Sequence, residues 1–525
     1  MILTAQAVGG YRAAFWFAWR MSLPNFRPGR VGILVGYEMR LSKSRYTAGL
    51  QCHKRLYLLV HEPELAAPPD EGAQARFDQG VEVGQMAWTM FQAGVLVEAE
   101  HMELAKAQTS RLVEDVNVPA IFEATFDHAK VLVRVDILQR TGRGQRWRLI
   151  EVKSSSALKD YYLADVAIQR FVLEGLGFKI TPCLMLLNRE YVYDGRSYDF
   201  NKLFRVIELT TETERLIKEA PAEIRAQLQM LSQAAAPEIE PGPQCSRPFR
   251  CEFFDLCNKP VAVDHVSCLP RLSESKLERL TELGVTSIRD IPAGFPLTET
   301  QQHAFASAVS GKAWFSKDLK KTLRGLKFPI CFMDFETLGP ALPRFAGMRP
   351  FDQIPFQWSV HLQRNPGNEL EHFGFLAEDT SDPRPAFLKS LLLVLGNSGH
   401  VVVYNQSFES GVLASLSSCL PEYKSAINGL QERLWDLLPV IRAHTYHIGY
   451  QGSFSLKNVL PALVPEMTYE GMGISDGDQA GVVWDAMIHC RLSEGEKKKA
   501  KQDLLAYCRQ DTLAMARLLE VLAAA

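Results

Sequence analysis

The sequence predicts an α/β protein with two domains and a small helical module between them, and three observations lead to this prediction. The 525 residues exceed the roughly 250–300 that one hydrophobic core usually supports. Strand-like runs of β-branched residues alternate with helical patterns in two separate regions, 132–187 and 330–405. A segment with three prolines, 234–244, follows the first region and indicates a boundary.

We therefore expect four parts: an extension over 1–40, a first domain over 41–260, a helical spacer over 261–328 and a second domain over 329–525. The extension is aromatic and basic between Tyr11 and Arg20, and it lacks the apolar core and cleavage site of a signal peptide. We expect either a flexible extension or an upstream start that is not the natural one.

Local patterns give the order of elements. The first domain should begin with a short helix that Ser42 caps and that carries Cys52, followed by a helix over 70–93. Strands over 132–138 and 147–153, joined by a turn over 141–145, should come next, and then a helix over 161–176 and a strand over 180–187. The run from Thr211 to Glu214 is a capping-box pattern that opens a further helix, which Pro221 should end or kink. The spacer should be mostly helical over 270–327. In the second domain we expect strands over 330–337, 357–363, 371–376 and 401–405, and helices over 384–395, from 407 and over 496–523.

The composition is that of an ordinary globular protein, with 47% hydrophobic and 22% charged residues. The net charge of −2 gives no signature of a nucleic-acid binder over the whole chain, although a local basic stripe such as the lysine-rich end of the spacer would be enough. No apolar run is long enough to span a membrane. Ten cysteines, mostly scattered singly, fit a reducing cytoplasm better than a disulfide framework.

Asp136 and the run Glu151-Val-Lys153 form the first candidate site. Because side chains alternate along a strand, Glu151 and Lys153 should share one face, and Asp136 should meet Glu151 across the hairpin. Two adjacent carboxylates repel unless a divalent cation binds them, and Mg²⁺ is held by few carboxylates together with waters and phosphate oxygens. Lys153 would orient or activate the attacking water and stabilise developing negative charge.

Four cysteines form the second candidate site: Cys245, Cys251 and Cys257 in one short segment, and Cys52 far upstream. A 4Fe–4S cluster needs four thiolates, and so does one kind of zinc site, but structural zinc sites favour closer cysteine pairs. The spacing and the neighbouring Phe249, Phe253 and Phe254 favour an iron–sulfur cluster. The remaining cysteines are interpreted as core thiols: Cys183, Cys268, Cys331, Cys419, Cys490 and Cys508.

The third candidate site is built from Asp334, Glu336, Glu409, Tyr507 and Asp511. Asp334 and Glu336 lie two apart in a hydrophobic strand, where burying two carboxylates is costly without a counter-charge. Tyr507 and Asp511 lie four apart on the last helix, one above the other. Four acids around two divalent ions make a site for phosphodiester hydrolysis, with Tyr507 holding the attacking water. Asp436 is an alternative ligand, and Lys457 and Asp485 are candidates for a substrate groove.

Asp136 with Glu151-Val-Lys153 resembles the D…E-x-K signature of the PD-(D/E)xK nuclease superfamily. The four cysteines resemble the iron–sulfur clasp of its RecB-like branch, which includes AddB and the CRISPR-associated exonucleases. The resemblance covers about residues 41–260. It implies a restriction-endonuclease-like fold and a role for Gln169, although Leu173 stands where the branch often has tyrosine. The early Gly-x-x-x-His motif is also absent, since the matching stretch runs from Gly80 to Gly84, with Glu82 as the candidate replacement.

Asp334-x-Glu336 and Tyr507-x-x-x-Asp511 resemble the DnaQ group of DEDD exonucleases, which have a ribonuclease H-like fold. The tyrosine implies the subclass that removes nucleotides from 3′ ends. The middle motif usually ends in aspartate, whereas Asn405-x-x-x-Glu409 ends in a side chain one methylene longer. The two regions together resemble a bacterial family that fuses both nucleases.

These resemblances imply a nuclease that uses Mg²⁺ or Mn²⁺, carries a 4Fe–4S cluster and acts on DNA, at single-stranded ends. The preference for DNA comes from the RecB-like resemblance alone. Three alternatives stay open: an RNA-processing 3′–5′ exonuclease, a nucleic-acid-binding module in which one or both sites are inactive, and a regulator that responds to the redox state of the cluster.

Overall fold

The computed structural model describes residues 39–99, 101–142 and 146–525, so most of the predicted extension and part of the hairpin turn lie outside the described residues. The chain divides into two compact units. Unit 1 comprises the residues up to Lys259 together with Ala341–Phe351, and unit 2 comprises Pro260–Pro340 and Asp352–Ala525. Both units combine sheets with helices, which confirms the predicted α/β class.

Unit 1 is built on a seven-stranded sheet. Its strands are β1 (Leu41–Ser42), β2 (Val95–Leu96), β3 (Ala120–His128), β4 (Val131–Arg140), β5 (Arg146–Lys153), β6 (Lys179–Leu187) and β7 (Phe204–Glu208). In the sheet β2 to β7 lie in numerical order, and β1 pairs with β4. The pairs β3–β4, β4–β5 and β6–β7 are antiparallel, whereas β5 and β6 are parallel. Alternation along β5 buries Trp147 and Leu149 in one hydrophobic cluster and Ile150 in another, as the period of two predicts.

The helices of unit 1 lie mostly between these strands. They are Lys43–Gln51, His53–His61, Glu71–Trp88, Met102–Glu114, Asp160–Gly175, Phe200–Leu203, Thr210–Leu231 and Phe254–Cys257. Ser42 caps the first of them by accepting the Arg45 N–H at 3.2 Å, which confirms the predicted cap. Cys52, however, lies at the junction between the first two helices and not inside one.

The helix Thr210–Leu231 corrects two sequence predictions. It begins at Thr210 with no side-chain cap, so the predicted capping box is wrong. It also continues through Pro221, so this proline does not end the helix, and the alternative of a kink stays a prediction. A proline inside a helix costs about 3 kcal/mol, and the helix persists because residues on both sides of Pro221 are buried, including Thr213 before it and Ile224 after it.

The strands of unit 2 are β8 (Trp314–Phe315), β9 (Ile330–Leu338), β10 (Ile354–Gln363), β11 (Glu371–Leu376), β12 (His400–Val403), β13 (Leu434–Asp436) and β14 (Thr445–Tyr446). Five of them form a central sheet in the order β11, β10, β9, β12, β13. The strands β11, β10 and β9 are antiparallel, and β12 pairs in parallel with both β9 and β13. The helix Glu494–Ala524 packs against β10, and Gln357 Nε2 donates to the Leu504 carbonyl at 2.7 Å.

The other helices of unit 2 are Glu274–Glu282, Glu299–Ser310, Leu319–Leu323, Arg384–Leu395, Gln406–Cys419, Lys424–Gln431, Leu437–His444, Leu456–Leu463 and Gly477–Ile488. The segment 270–327 is less helical than predicted, because Trp314 and Phe315 form β8 and pair with β14. Its buried Leu280 and Ala304 lie in one hydrophobic cluster with Ile330 of the central sheet. Among the described residues, no helix is long and apolar enough to cross a membrane.

Candidate functional sites

Glu151 is the centre of the first acidic site. It lies near the end of β5 with 1% of its surface exposed. Its Oε1 accepts hydrogen bonds from Lys43 Nζ at 2.7 Å and lies 2.8 Å from Lys153 Nζ, while its Oε2 accepts from Gln169 Nε2 at 2.7 Å. Lys153 also bonds Asp165 Oδ2 at 2.5 Å. The sequence-predicted Lys153 and Gln169 therefore both contact the sequence-predicted Glu151 directly.

Asp136, the second predicted acid, accepts the backbone N–H of Val152 at 2.7 Å. Burial, followed by the charge of Glu151, raises the pKa of Asp136. Burial also acts to raise the pKa of Glu151, but the charges of Lys153 and Lys43 outweigh it and hold that pKa low. At neutral pH the site therefore contains one firmly ionised carboxylate beside a carboxyl that favours a proton or a cation.

Three residues of this site were not found from the sequence: Lys43, Asp165 and Glu123. Lys43 begins the helix after β1, and β1 reaches the site because it pairs with β4. Glu123 lies in β3 opposite Asp136, since its two neighbours in β3 pair with the two neighbours of Asp136 in β4. Its backbone has a positive φ of 57°. Burial raises its pKa against the opposing charges of Arg134 and Lys43. A non-glycine residue in this conformation costs on the order of 1–3 kcal/mol and is typical of functional sites.

Glu82, which stands in the stretch where the branch has histidine, is exposed on the helix Glu71–Trp88, whereas Glu123 lies inside the site. No local pattern in the sequence pointed to Glu123, because its proximity to Asp136 comes from strand pairing.

The four predicted cysteines line one pocket, together with Leu58 and Phe253 among others. The backbone N–H of Gly242 donates to Cys245 Sγ at 3.5 Å, and that of Phe253 donates to Cys251 Sγ at 3.4 Å. Burial raises the pKa of Cys251 to about 11, and burial also raises the pKa of Cys257. In the absence of a metal these two thiols therefore stay protonated at neutral pH.

The helices beside Cys52 are attached to the cysteine segment by side-chain hydrogen bonds. Gln51 Nε2 donates to the carbonyls of Gln244 and Phe249 at 2.7 and 3.0 Å. Arg55 pairs with Glu252 at 2.7 Å. The protein thus brings Cys52 to the other cysteines through contacts that do not involve sulfur.

The acidic site of unit 2 begins with Asp334 and Glu336 on β9. Oxygens of these two carboxylates and the sulfur of Cys508 all lie within 4.8 Å of one another, an arrangement that can hold a metal ion. Cys508 is fully buried on the helix Glu494–Ala524 and donates to the Asp334 carbonyl at 3.8 Å. From the sequence, Cys508 was interpreted as a core thiol, and its proximity to the acids was not predicted.

Glu409 and Asp511 belong to the same electrostatic environment. Burial raises the pKa of Asp334, and the charges of Asp511, Glu336 and Glu409 add to the effect. Burial likewise raises the pKa of Glu336, of Glu409 to about 8, and of Asp511 to about 6. The Oε2 atom of Glu409 is buried and has no hydrogen-bond partner among the described residues. An uncompensated buried oxygen of this kind is costly and requires a cation or a proton.

Aromatic hydroxyls and one lysine complete the site. Tyr469, which the sequence analysis missed, donates to Asp511 Oδ1 at 2.5 Å. Tyr507 is 5% exposed, and burial and the nearby acids raise its pKa. Lys457 Nζ lies 5.6 Å from the centre of the Tyr507 ring, and its charge opposes the rise in the pKa of Glu336 and Asp511. The charge of Lys457 therefore acts on the acids, and its place in a substrate groove stays a prediction.

Two further acids have structural partners. Asp436, the alternative ligand, accepts the backbone N–H groups of Asn405, Gln406 and Leu438, each at 3.0 Å. It thereby fixes the start of the helix that carries Glu409. Asp485 pairs with Arg491 and lies 3.3 Å from His489.

Residues 331–455 match the model of a family described as a domain of unknown function, DUF2779. The chain is 25% identical over 218 residues to a Mycoplasma genitalium protein named Uncharacterized protein MG366, and the alignment covers 37% of this chain and 32% of that protein. The chain therefore spans about a third of the length of the curated relative it matches. No solved structure matches the chain. The family match includes Asp334, Glu336 and Glu409 and ends before Tyr507 and Asp511.

Proposed function

We propose that the protein is a divalent-metal-dependent nuclease that hydrolyses phosphodiester bonds in single-stranded ends of DNA, with one hydrolytic centre in each unit. The observation that carries this proposal is the excess of buried carboxyl groups over cations around Asp334. After burial, the charges of Asp511, Glu336 and Glu409 raise the pKa of Asp334. Lys457 is the cation whose charge opposes the rise in the pKa of Glu336 and Asp511. Burying such a set is unfavourable unless divalent ions are bound.

The topology of each unit supports the two nuclease resemblances. In unit 2, three antiparallel strands are continued by two parallel ones, as expected for a ribonuclease H-like domain, and the acids lie on the first strand and on helices that pack beside it. In unit 1, the helix Asp160–Gly175 connects the parallel strands β5 and β6 and carries Gln169, as expected for a PD-(D/E)xK core.

The residues of unit 2 fit a metal site because Glu409 offers a buried oxygen without a partner. Asp334, Glu336, Glu409 and Asp511 would hold the ions. Bound divalent ions supply a hydroxide nucleophile at neutral pH and stabilise the leaving oxygen. The Tyr507 hydroxyl would hold the attacking water, and Tyr469 keeps the Asp511 carboxylate in a fixed orientation through its hydrogen bond. Lys457 would bind a phosphate oxygen of the strand.

In unit 1, Asp136 and Glu151 would hold the divalent ion. Burial and the charge of Glu151 make ionised Asp136 unfavourable without a counter-charge, and a bound cation would supply that charge. Lys153 and Lys43 both lie on Glu151, so a phosphate that enters the site meets two ammonium groups within reach of the carboxylates. These ammonium groups would stabilise the negative charge that develops during hydrolysis.

The four thiols of unit 1 would hold the proposed iron–sulfur cluster. They line one pocket, and a 4Fe–4S cluster binds four thiolates, each through a different iron. Four thiolates could also hold zinc, but the cysteines of the segment 245–257 are spaced more widely than the close pairs that structural zinc sites favour. The backbone N–H groups on Cys245 and Cys251 would tune the reduction potential of the cluster.

The first prediction is that the protein degrades labelled single-stranded DNA in Mg²⁺ or Mn²⁺, and that the two centres can be inactivated separately. Asp334→Asn should abolish release of nucleotides from a 3′-labelled end, whereas Lys153→Ala should remove the remaining cleavage. The assay compares 5′- and 3′-labelled DNA and RNA strands of one sequence. No cleavage of either nucleic acid by the unmutated protein would contradict the proposal, and faster cleavage of RNA would favour the RNA-processing alternative.

The second prediction concerns pH. The folded-state pKa values of Asp511, at about 6, and Glu409, at about 8, lie above those of unfolded carboxyls. The folded protein therefore retains protons that the unfolded chain releases, and metal-free unit 2 should lose stability as the pH rises from about 4 to about 8. The shift of Asp511 alone corresponds to on the order of 3 kcal/mol. Thermal unfolding between pH 5 and 8 measures this loss, which saturating Mg²⁺ should remove. A melting temperature that does not fall with pH in metal-free buffer would contradict it.

A further inference from the structure

An aromatic and cationic surface lies beside the acidic site of unit 1, and the proposed chemistry does not use it. Its three rings are Tyr161, Tyr162 and Phe249, which we call the aromatic platform. The rings of Tyr161 and Tyr162 are 4.5 Å apart, and those of Tyr161 and Phe249 are 4.8 Å apart, both edge to face. Lys153, which bonds Glu151, lies 5.4 Å from the centre of the Tyr162 ring, so the platform adjoins the reacting groups.

Phe249 is the exposed end of the platform, with 52% of its surface open to solvent. It lies in the segment between Cys245 and Cys251, and its carbonyl accepts a hydrogen bond from Gln51 at 3.0 Å. The proposed cluster and this bond would hold the segment in place. Phe249 therefore presents an apolar ring to solvent next to the ring of Tyr161, and the case for binding rests on its combination with the other rings and the cations around it.

The charges around the platform are suited to a polyanion. Lys159 Nζ lies 5.8 Å from the centre of the Tyr161 ring and is exposed. Arg247 and Arg250, on either side of Phe249, are exposed as well, and Arg250 lies over the Phe254 ring at 4.0 Å. Asp255 pairs with Arg250 and offsets part of this charge. Aromatic rings among cations form the pattern with which proteins bind single-stranded nucleic acid, where bases stack and phosphates meet lysine and arginine.

We propose that the aromatic platform binds one unpaired base by stacking on Phe249, while Lys159 and Arg247 bind the flanking phosphates, so that unit 1 accepts single strands and excludes duplexes. This inference rests on the proposed nuclease function of unit 1 and specifies its substrate. A base in a duplex is stacked on its neighbours and presents no free face to Phe249, whereas any unpaired base does. The platform should therefore prefer single strands without a preference for sequence.

The test measures the affinity of the full-length protein for a fluorescently labelled single-stranded DNA in metal-free buffer, where binding is separated from cleavage. Phe249→Ala should weaken binding about 5- to 150-fold, because stacking on one aromatic side chain has that effect. Phe249→Trp should retain the affinity. Phe77→Ala is the matched control, since Phe77 is similarly exposed at 56% and lies on the helix Glu71–Trp88 of unit 1, away from the platform residues in the sequence.

Salt dependence separates stacking from charge. Phe249→Ala should leave the slope of log affinity against log salt unchanged, whereas Lys159→Gln should reduce that slope by about 0.7, as loss of one phosphate contact to a single strand does. Strands with one abasic site at successive positions then locate the stacked base. An abasic site at the stacked position should weaken binding to the unmutated protein. It should not weaken binding to the Phe249→Ala variant any further, because that variant has already lost the stacking.

Equal affinities for the unmutated protein and Phe249→Ala would overturn the inference, and so would an equal loss in Phe77→Ala. Tighter binding of duplex than of single strands would also overturn it. The proposed function fails separately: a protein that binds single strands through Phe249 but cleaves nothing in Mg²⁺ or Mn²⁺ retains the platform and loses the nuclease assignment.

Discussion

Asp334→Asn should remove metal-dependent activity from unit 2 and, at the same time, stabilise the metal-free protein. The substitution keeps the size of the side chain and an oxygen that can accept the Phe335 N–H, which Asp334 binds at 3.0 Å. It removes one of several buried carboxyls that disfavour one another's ionisation. For a unit of this size, each kcal/mol gained in the free energy of unfolding raises the melting temperature by about 2–4 °C.

The same substitution should remove most of the stabilisation by metal. A ligand at 100 times its dissociation constant stabilises a fold by about 2.7 kcal/mol, and Asp334→Asn should shift that response to much higher Mn²⁺ concentrations. Loss of partners outside the ligand sphere already costs 10- to 100-fold in affinity or activity, so loss of a ligand should cost more. Calorimetric unfolding with and without Mn²⁺ measures both effects in one protein.

Asp318→Asn is the control, because Asp318 is an exposed acid of unit 2 and makes no side-chain cap. It should change neither the melting temperature nor the response to Mn²⁺. If Asp334→Asn instead lowered the metal-free melting temperature and left the Mn²⁺ response intact, the buried acids would be a structural network and the hydrolytic assignment of unit 2 would fall.

What could be predicted from the sequence was local in the chain. A period of two predicted that Glu151 and Lys153 lie on one face of a strand. In the structure the Lys153 ammonium pairs with Glu151 and with Asp165. Four of the five strands in the central sheet of unit 2 were predicted within a few residues of their observed ends, whereas the short edge strand β13 was not predicted. These patterns act over two to four residues, which is the range that backbone geometry encodes directly.

What could not be predicted depends on contacts between distant segments. Lys43 and Glu151 are 108 positions apart and meet because two residues of β1 pair with β4. Tyr469 reaches Asp511 from a segment without regular structure, which carries no periodicity to read. The course of the helix through Pro221 shows the same effect, since tertiary burial outweighed the local preference.

Cys251→Ser should destabilise unit 1 before unit 2. The proposed cluster joins Cys52 to the segment that begins at Cys245, so it closes a loop of nearly the whole unit. A structural zinc site contributes about 10–16 kcal/mol to folding, and a structural cluster should make a comparable contribution. The side-chain bonds of Gln51 and Arg55 remain in the variant, and we expect them to hold the helix at Cys52 near the segment only weakly.

Limited proteolysis of the full chain, followed by mass spectrometry of the fragments, measures this order of unfolding. In Cys251→Ser the first cuts should fall in unit 1, within 41–259 or Ala341–Phe351, and the residues of unit 2 should stay resistant. Nucleic-acid cleavage by the centre in unit 1 should decrease as well. The helix that ends beside Cys52 begins with Lys43, which binds Glu151 at 2.7 Å. Cys490→Ser is the control and should change neither result. Cys490 is exposed in unit 2, so its interpretation as a core thiol was wrong. Simultaneous loss of resistance in both units would contradict a clasp that belongs to unit 1, and full resistance with normal cleavage would contradict a structural cluster.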